Sequence, residues 1–345
     1  MIKKNSLTNA TLTVTILTTL LLINSCKNTT LHPDVSEIKI ETKKQRLDKD
    51  LLSINDSNAV ALLQNLRTAY GTFLQLFCQR IIHLPPAADS VMTKNIYNFT
   101  SDKDVKDIFK RTQETFSEND IQNIYSGVQD FLKHYQYYFK KQPVNNIITF
   151  VSAFNYNIIT TDSVIGIGLD MYLGKDSPFY PSLNFPSYMF NRFSKEYIIS
   201  DCIKGWFQSE YDIDLEKKEM LSQMIYYGKQ MYFTGLMAPE MNDTLKIGYS
   251  QKQLDWCKKN ESQMWGFYIE KKILYSTFEK EYMKFLADGH TTQGFPEGAP
   301  GKTGQWLGWQ IVNAYMKKNE KVSLQQLLNE KDAQKILQQS GYKPS

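Results

Sequence analysis

The sequence predicts a helix-rich α+β fold, a small mixed sheet packed with helices. Three observations carry this prediction. Apolar residues recur at helical spacing through most of residues 57–141. Three short runs rich in Ile, Val, Phe and Tyr follow at 146–172, and helix and loop resume after them. Helices, then a small sheet, then helices again, with no alternating strand–helix repeat, argue against a doubly wound parallel sheet. No internal repeat, low-complexity tract or linker divides residues 35–345, so they read as a single domain.

The elements follow in chain order. Ser36–Thr42 reads as a first strand, because Ile38 and Ile40 alternate with Glu37, Lys39 and Glu41. From Ser57 to Leu84, Leu62, Leu63, Leu66, Tyr70, Phe73, Leu74, Phe77 and Ile81 trace one helix face. Pro85-Pro86 ends it, since proline donates no backbone hydrogen bond and restricts its predecessor. Asp89–Phe99 and Asp102–Thr115 read as two shorter helices. Ser117 with Asp120 resembles a capping box that opens a long helix reaching about Lys141, closed by Pro143. Asn146–Phe154, Asn157–Thr160 and Val164–Tyr172 read as strands. Further on, Leu215–Thr234 carries a stripe of Leu221, Met224, Ile225, Gly228, Met231 and Tyr232. Gly304–Lys318 places Trp306, Trp309, Ile311, Val312 and Tyr315 round an apolar face, with Thr303 as its expected N-cap. The spacing of Gly301, Gly304 and Gly308 predicts tight packing where that helix starts.

Ahead of the domain lies a targeting segment. Lys3 and Lys4 precede an apolar run from Thr11 to Ile23, too short for a bilayer core, which needs roughly 20 residues, but suited to a signal peptide. It ends Leu22-Ile23-Asn24-Ser25-Cys26, the pattern of lipobox cleavage. Residues 1–25 are therefore expected to be removed and Cys26 to carry acyl chains, with residues 26–34 as a tether. At about 0.8 kcal/mol per buried methylene, two or three chains anchor a protein stably. No aspartate follows Cys26 and no acidic cluster either, which favours the periplasmic face of the outer membrane.

Without residues 1–25 the chain has 320 residues, in which 38 basic face 36 acidic side chains. No basic stripe interleaved with aromatics stands out, so nucleic acid is not an expected partner. Cys78, Cys202 and Cys257 form an odd, widely spaced set, expected as buried free thiols rather than a disulfide framework. The abundant Tyr and Phe favour an aromatic core over a sugar-binding platform.

The catalytic signatures fail one by one. Gly301-Lys302-Thr303 resembles the tail of a phosphate loop, yet Pro296 stands where its first glycine belongs and loop, not strand, leads in. Gly166-Ile167-Gly168 has Met171 where a dinucleotide fingerprint needs its third glycine; these two glycines instead predict close packing against one sheet face. His32, His83, His134 and His290 lack metal-ligand spacing, and there is no His-Glu-x-x-His, Cys-x-x-Cys or Gly-x-Ser-x-Gly. No metal or other cofactor is expected. Asp170, Asp176, Glu196 and Asp201 are available as an acid–base pair, against the default of solvated or capping carboxylates.

Three blocks, VIGIGLDMYLGKDSPFYPSLNFPSYMFNRFSKEYIISD at 164–201, MIYYGKQMYFTGLMAPEMNDTLKIGYSQKQLDW at 224–256 and PEGAPGKTGQWLGWQIVNAYMKKN at 296–319, together with the lipobox, resemble the gliding-motility lipoprotein family called GldB. The resemblance spans nearly the whole mature chain. It implies an envelope lipoprotein required for surface motility and linked to the type IX secretion machinery. That family is in turn distantly similar to zincin-like secreted metallopeptidases, which implies a zincin-like outline. In this sequence Tyr227, Gly228 and Met231 would fall where the metal helix carries its ligands and base, with Lys229 beside them, so the resemblance implies a site that has lost its metal.

The resulting expectation is a non-catalytic, membrane-tethered component that acts on other envelope motility and secretion proteins. Lys175–Pro181 is the candidate interaction loop, with Asp176, Phe179 and Tyr180, and Arg192 shortly after. The alternatives are an envelope hydrolase with a peptidase-like fold and an unrecognised site, and a glycan-binding lipoprotein.

Overall fold

The computed structural model describes residues 33–55, 58–141, 144–212 and 219–344. The signal segment, Cys26, His32, Pro143 and the start of the predicted Leu215–Thr234 helix lie outside them.

Helices dominate, and the sheet has four short strands: β1 (Lys43–Arg46), β2 (Asn146–Phe150), β3 (Ile158–Thr160) and β4 (Val164–Gly168). Their order is β1-β2-β4-β3, with β1 and β4 parallel to β2, and β3 antiparallel to β4. The fold is therefore α+β with a mixed sheet. About 100 residues, carrying several helices, connect β1 to β2, a length that a parallel pair can accommodate and a hairpin cannot.

That crossover contains α1 (Leu47–Asp50), α2 (Ala59–Tyr70), α3 (Thr72–Leu76), α4 (Asp89–Ser101), α5 (Lys103–Thr115) and α6 (Glu118–Phe139). The capping box forms: Asp120 N–H donates to Ser117 Oγ at 3.1 Å, and Ser117 N–H to Asp120 at 3.0 Å. Ile121, Ile124, Tyr125, Val128, Phe131, Leu132 and Tyr135 of α6 are all buried. The single helix expected over 57–84 is instead broken at Gly71, whose φ of +53° is open to glycine and costly for other residues. Beyond the break, α3 runs into a wide π-turn at Phe77–Ile81. The periodic apolar residues nevertheless stay in the core on both sides.

The first strand is displaced from its expected place. Ser36–Thr42 forms no ladder; pairing starts where Lys43 N–H donates to Asn145 O at 2.7 Å. Ile40 is buried, so its alternation with charged neighbours records packing on the core. The second and fourth strands stop short of Phe154 and Tyr172. Asp170 is the cause: its buried carboxylate accepts from Phe154 N–H at 2.6 Å and Ser152 N–H at 3.2 Å, drawing residues 152–154 out of the sheet. Gly166 and Gly168 permit the close packing expected of them. A Cβ at Gly168 would lie 2.0 Å from Tyr156 O, and one at Gly166 would lie 3.0 Å from the Phe73 ring.

The second half comprises α7 (Ile198–Glu210), α8 (Met220–Met237), α9 (Asp243–Ile247), α10 (Gln251–Lys259), α11 (Glu261–Glu270), α12 (Glu279–Leu286), α13 (Thr303–Lys318), α14 (Leu324–Asn329) and α15 (Ala333–Ser340). At its centre α8 crosses α13. Rather than one stripe, α8 is buried nearly all round, from Met220 to Met237, as expected for a helix enclosed by others. Trp306 and Trp309 are buried in the same layer and are therefore core residues.

Candidate functional site

The backbones of α8 and α13 meet. A Cβ on Gly308 would sit 1.9 Å from Met224 O, and one on Gly228 would sit 2.3 Å from Gly308 O. Two glycines facing each other are what bring the helix axes this close. Gly304 seats the start of α13 against α12 and the start of α8, since a Cβ there would lie 2.9 Å from Leu286 and 3.3 Å from Met220. The three positions at which the resemblance places a lost metal site lie at or beside this crossing. Gly228 is the crossing point, Met231 is buried, and Tyr227 is half-buried beside Tyr226. Lys229 turns the other way, donating to the carbonyls of Leu328 and Glu330 and so tying α8 to the end of α14.

The polar cleft lies elsewhere, where the loops before α7, α10 and α13 converge. Its wide lobe, about 570 Å³, is lined by Tyr188, Arg192, Tyr197, Tyr249, Asp288 and Lys302 among others. A narrow lobe of about 200 Å³ shares Arg192, Tyr197, Gly248 and Asp288 and continues to Tyr172, Asp201 and Lys204. Each charge is held by its element. Arg192 ends a 3₁₀ turn (Ser187–Arg192). Asp201 and Lys204 sit three residues apart in the first half of α7, hence on one face. Asp288 follows α12, and Lys302 precedes α13.

Lys302 has a φ of +60°, an uncommon conformation for a non-glycine residue, and thereby serves as the cap position of α13. Its carbonyl accepts from Gln305 N–H at 2.9 Å and Trp306 N–H at 3.2 Å. Thr303, the expected cap, is instead the first helical residue. Its buried hydroxyl pairs with Tyr268 Oη at 2.9 Å and Thr292 Oγ1 at 3.2 Å. The Lys302 ammonium enters the cleft, donating to Ile247 O at 2.8 Å and lying 3.7 Å from Asp288 and 5.5 Å from the Tyr249 ring centre. Asp288 also accepts from Arg192. Tyr172 Oη donates to Asp201 at 2.9 Å.

Burial governs the ionisation of this cluster. It pushes the Lys302 ammonium down to about 7, partly offset by Asp288. It lowers Lys204 as well, against the pull of Asp201. The Asp201 carboxyl is raised by burial, with Lys204 and Tyr172 working the other way. The cluster thus holds three cations and two acids in a partly desolvated space.

The candidate loop divides. Asp176 is exposed and Phe179 half-buried, 5.5 Å from Phe154, but Tyr180 is fully buried among Phe154, Phe185, Phe190 and Phe193. Its hydroxyl accepts from Leu173 N–H at 2.8 Å. Tyr180 is therefore no surface contact but a core residue that fixes the loop. Arg192 belongs to the cleft rather than to a loop surface. Of the four carboxylates considered for acid–base work, Asp201 alone reaches the cleft. Asp170 serves the 152–154 turn, where burial raises its carboxyl to about 6, and Asp176 and Glu196 are exposed. Lys204, Asp288 and the cleft role of Lys302 went unread, because residues 14 and 98 positions apart leave no local pattern.

A family model described as gliding motility protein GldB matches residues 28–344. The chain belongs to the GldB family. By that membership it is a gliding-motility-associated lipoprotein. No curated protein and no solved structure matches the chain. Among the described residues no helix is long and apolar enough to cross a membrane. Cys78, Cys202 and Cys257 are free and buried.

Proposed function

We propose that this GldB-family chain is a lipid-anchored envelope component of the gliding-motility and type IX secretion apparatus that works by binding other proteins rather than by turnover. Acylation of Cys26 would place it on the periplasmic face of the outer membrane, with residues 26–34 as tether to a single domain over 35–345. One observation carries the non-catalytic reading. The helix on which a related peptidase would hold its metal is closed at Gly228 by the backbone of α13. Opening a site there means parting the central helices of the fold.

Crosslinking in intact cells, purification of the mature protein from membranes and mass spectrometry test this reading. Recovery of envelope motility or secretion proteins is the expected result. Labelled palmitate incorporated by the native chain and lost in Cys26→Ser tests the anchor. Stoichiometric zinc with peptide turnover would overturn the proposal. The alternative, an envelope hydrolase with an unfamiliar site, draws on a separate observation: Lys302 titrates near neutrality beside Asp288, as a general base would need. It requires peptide or glycan cleavage that disappears in Lys302→Met.

A further inference from the structure

The charges of the cleft do not balance. Arg192 and Lys302 share one carboxylate, that of Asp288. Asp201 is engaged by Tyr172. Among the described residues the Lys204 ammonium makes no hydrogen bond or ion pair, although it lines the narrow lobe and feels Asp201, Arg192 and Asp288 through space. The half-buried Lys204 ammonium thus has no protein partner among the described residues and faces the narrow lobe, whose other walls include the apolar Met171, Met189 and Phe193. With both acids ionised, the three cationic groups leave a single positive charge while Lys302 is protonated and none once it has lost its proton, which burial brings down to about 7. Such a site complements a monoanion and has one cation too few for a dianion.

We infer that this cleft receives a carboxylate group, held by Lys204 and Arg192 in the narrow lobe, with the rest of the ligand lying in the wide lobe. A guanidinium beside an ammonium matches the two oxygens of a carboxylate, each hydrogen bond being charge-assisted. The wide lobe, about 570 Å³ and walled by Tyr188, Tyr197 and Tyr249, has room for several residues of an attached chain. The carboxylate is thus either the free end of a polypeptide or a small free acid. The inference deepens the binding reading above and rests on it, since it names the group by which a partner is recognised.

Titration calorimetry on the purified mature protein, at fixed ionic strength, tests it with four probes: sodium acetate, inorganic phosphate, a Gly-Ala-Ala tripeptide with a free C-terminus, and the same tripeptide amidated. The expected result is binding of the free-acid tripeptide, none of the amide, and weaker binding of phosphate than of either carboxylate. Acetate matching the tripeptide identifies a small acid as the ligand; a tripeptide clearly tighter than acetate identifies a chain end. Lys204→Gln should weaken the carboxylate probes roughly ten- to a hundredfold, the cost of one lost charge-assisted bond, and Lys204→Arg should retain most of it. Circular dichroism confirms that the variants fold. No carboxylate binding, equal binding of amide and acid, tighter binding of phosphate, or unchanged affinity in Lys204→Gln would each overturn the inference. Because no other envelope protein is present, failure here is distinct from failure to recover partners by crosslinking.

Discussion

Replacing Gly308 with alanine tests the central packing of the domain. Its new Cβ would lie 1.9 Å from Met224 O and 2.5 Å from Met224 C, both backbone atoms that no rotamer change can move aside. Relief from 1.9 Å to an ordinary contact of 3.4 Å requires α8 and α13 to separate by roughly 1.5 Å, and a gap of about 0.5–1 Å already forfeits about a quarter to a half of each dispersion contact along the interface. Two terms oppose each other. Alanine gains about 1 kcal/mol over glycine in a helix interior. Overpacking a closed core costs typically about 1–3 kcal/mol, and more where backbone must shift. With the contact this short, the second term wins at the top of its range, and we expect a net loss of about 2 kcal/mol or more. Gly266→Ala supplies the matched control. It lies within α11, has no atom within 4 Å of its would-be Cβ, and should gain up to about 1 kcal/mol. Urea unfolding followed by tryptophan fluorescence reads both, since Trp306 and Trp309 flank the crossing. Gly228→Ala should also destabilise, and the double variant by less than the sum, because helices once parted accommodate the second methyl. A Gly308→Ala protein within about 1 kcal/mol of the native one would refute this account of the crossing.

Three further outcomes are expected. Lys302 holds its proton less tightly folded, at about 7, than in the unfolded chain, so stability attributable to it rises as pH climbs from 7 toward the ordinary lysine value and is lost again on acidification. Urea midpoints at pH 6 and pH 9 should therefore differ more in the native protein than in Lys302→Met; the thiols of Cys78 and Cys257, raised to about 11 and about 12 by burial, act in the opposite sense in both proteins and cancel in the comparison. Asp170→Ala leaves the buried N–H groups of Ser152 and Phe154 without their acceptor, and should cost roughly 2–4 kcal/mol in chemical denaturation. Cys78, Cys202 and Cys257 should be silent to a thiol reagent in the native state and react together on unfolding, in an assay read by absorbance.

Helices were legible wherever local chemistry decides them. The Ser117–Asp120 capping box and Pro85-Pro86 each lie within one turn of chain, the stripe of α6 repeats from turn to turn, and the structure keeps all three. Gly301, Gly304 and Gly308 announced close packing, and Gly166 with Gly168 did the same in the sheet. What escaped was set by distant partners. The first strand starts at Lys43 because Asn146–Thr149 pair there, about 100 residues away, whatever the alternation at 36–42. β2 and β4 end where the Asp170 carboxylate captures backbone of residues 152–154, a contact without a periodic trace. The break at Gly71 was passed over because apolar spacing continues across it. For the cleft, Lys302 stood out only as part of a failed phosphate loop; Lys204 and Asp288 had no pattern to reveal them, since charge in a cleft and charge on a solvated helix look alike in sequence.

The crossing of α8 with α13 joins positions about 80 residues apart, and Lys229 reaches still further, to the carbonyls at the end of α14. An emerging polypeptide therefore holds Met220–Met237, buried nearly all round in the fold, without the helix it crosses until Thr303–Lys318 has arrived. Termination before α13 leaves that segment without its closest neighbour and open to proteases or chaperones, so products lacking α13 should be cleared. Such late closure acts as a built-in check on synthesis, enforced by topology alone.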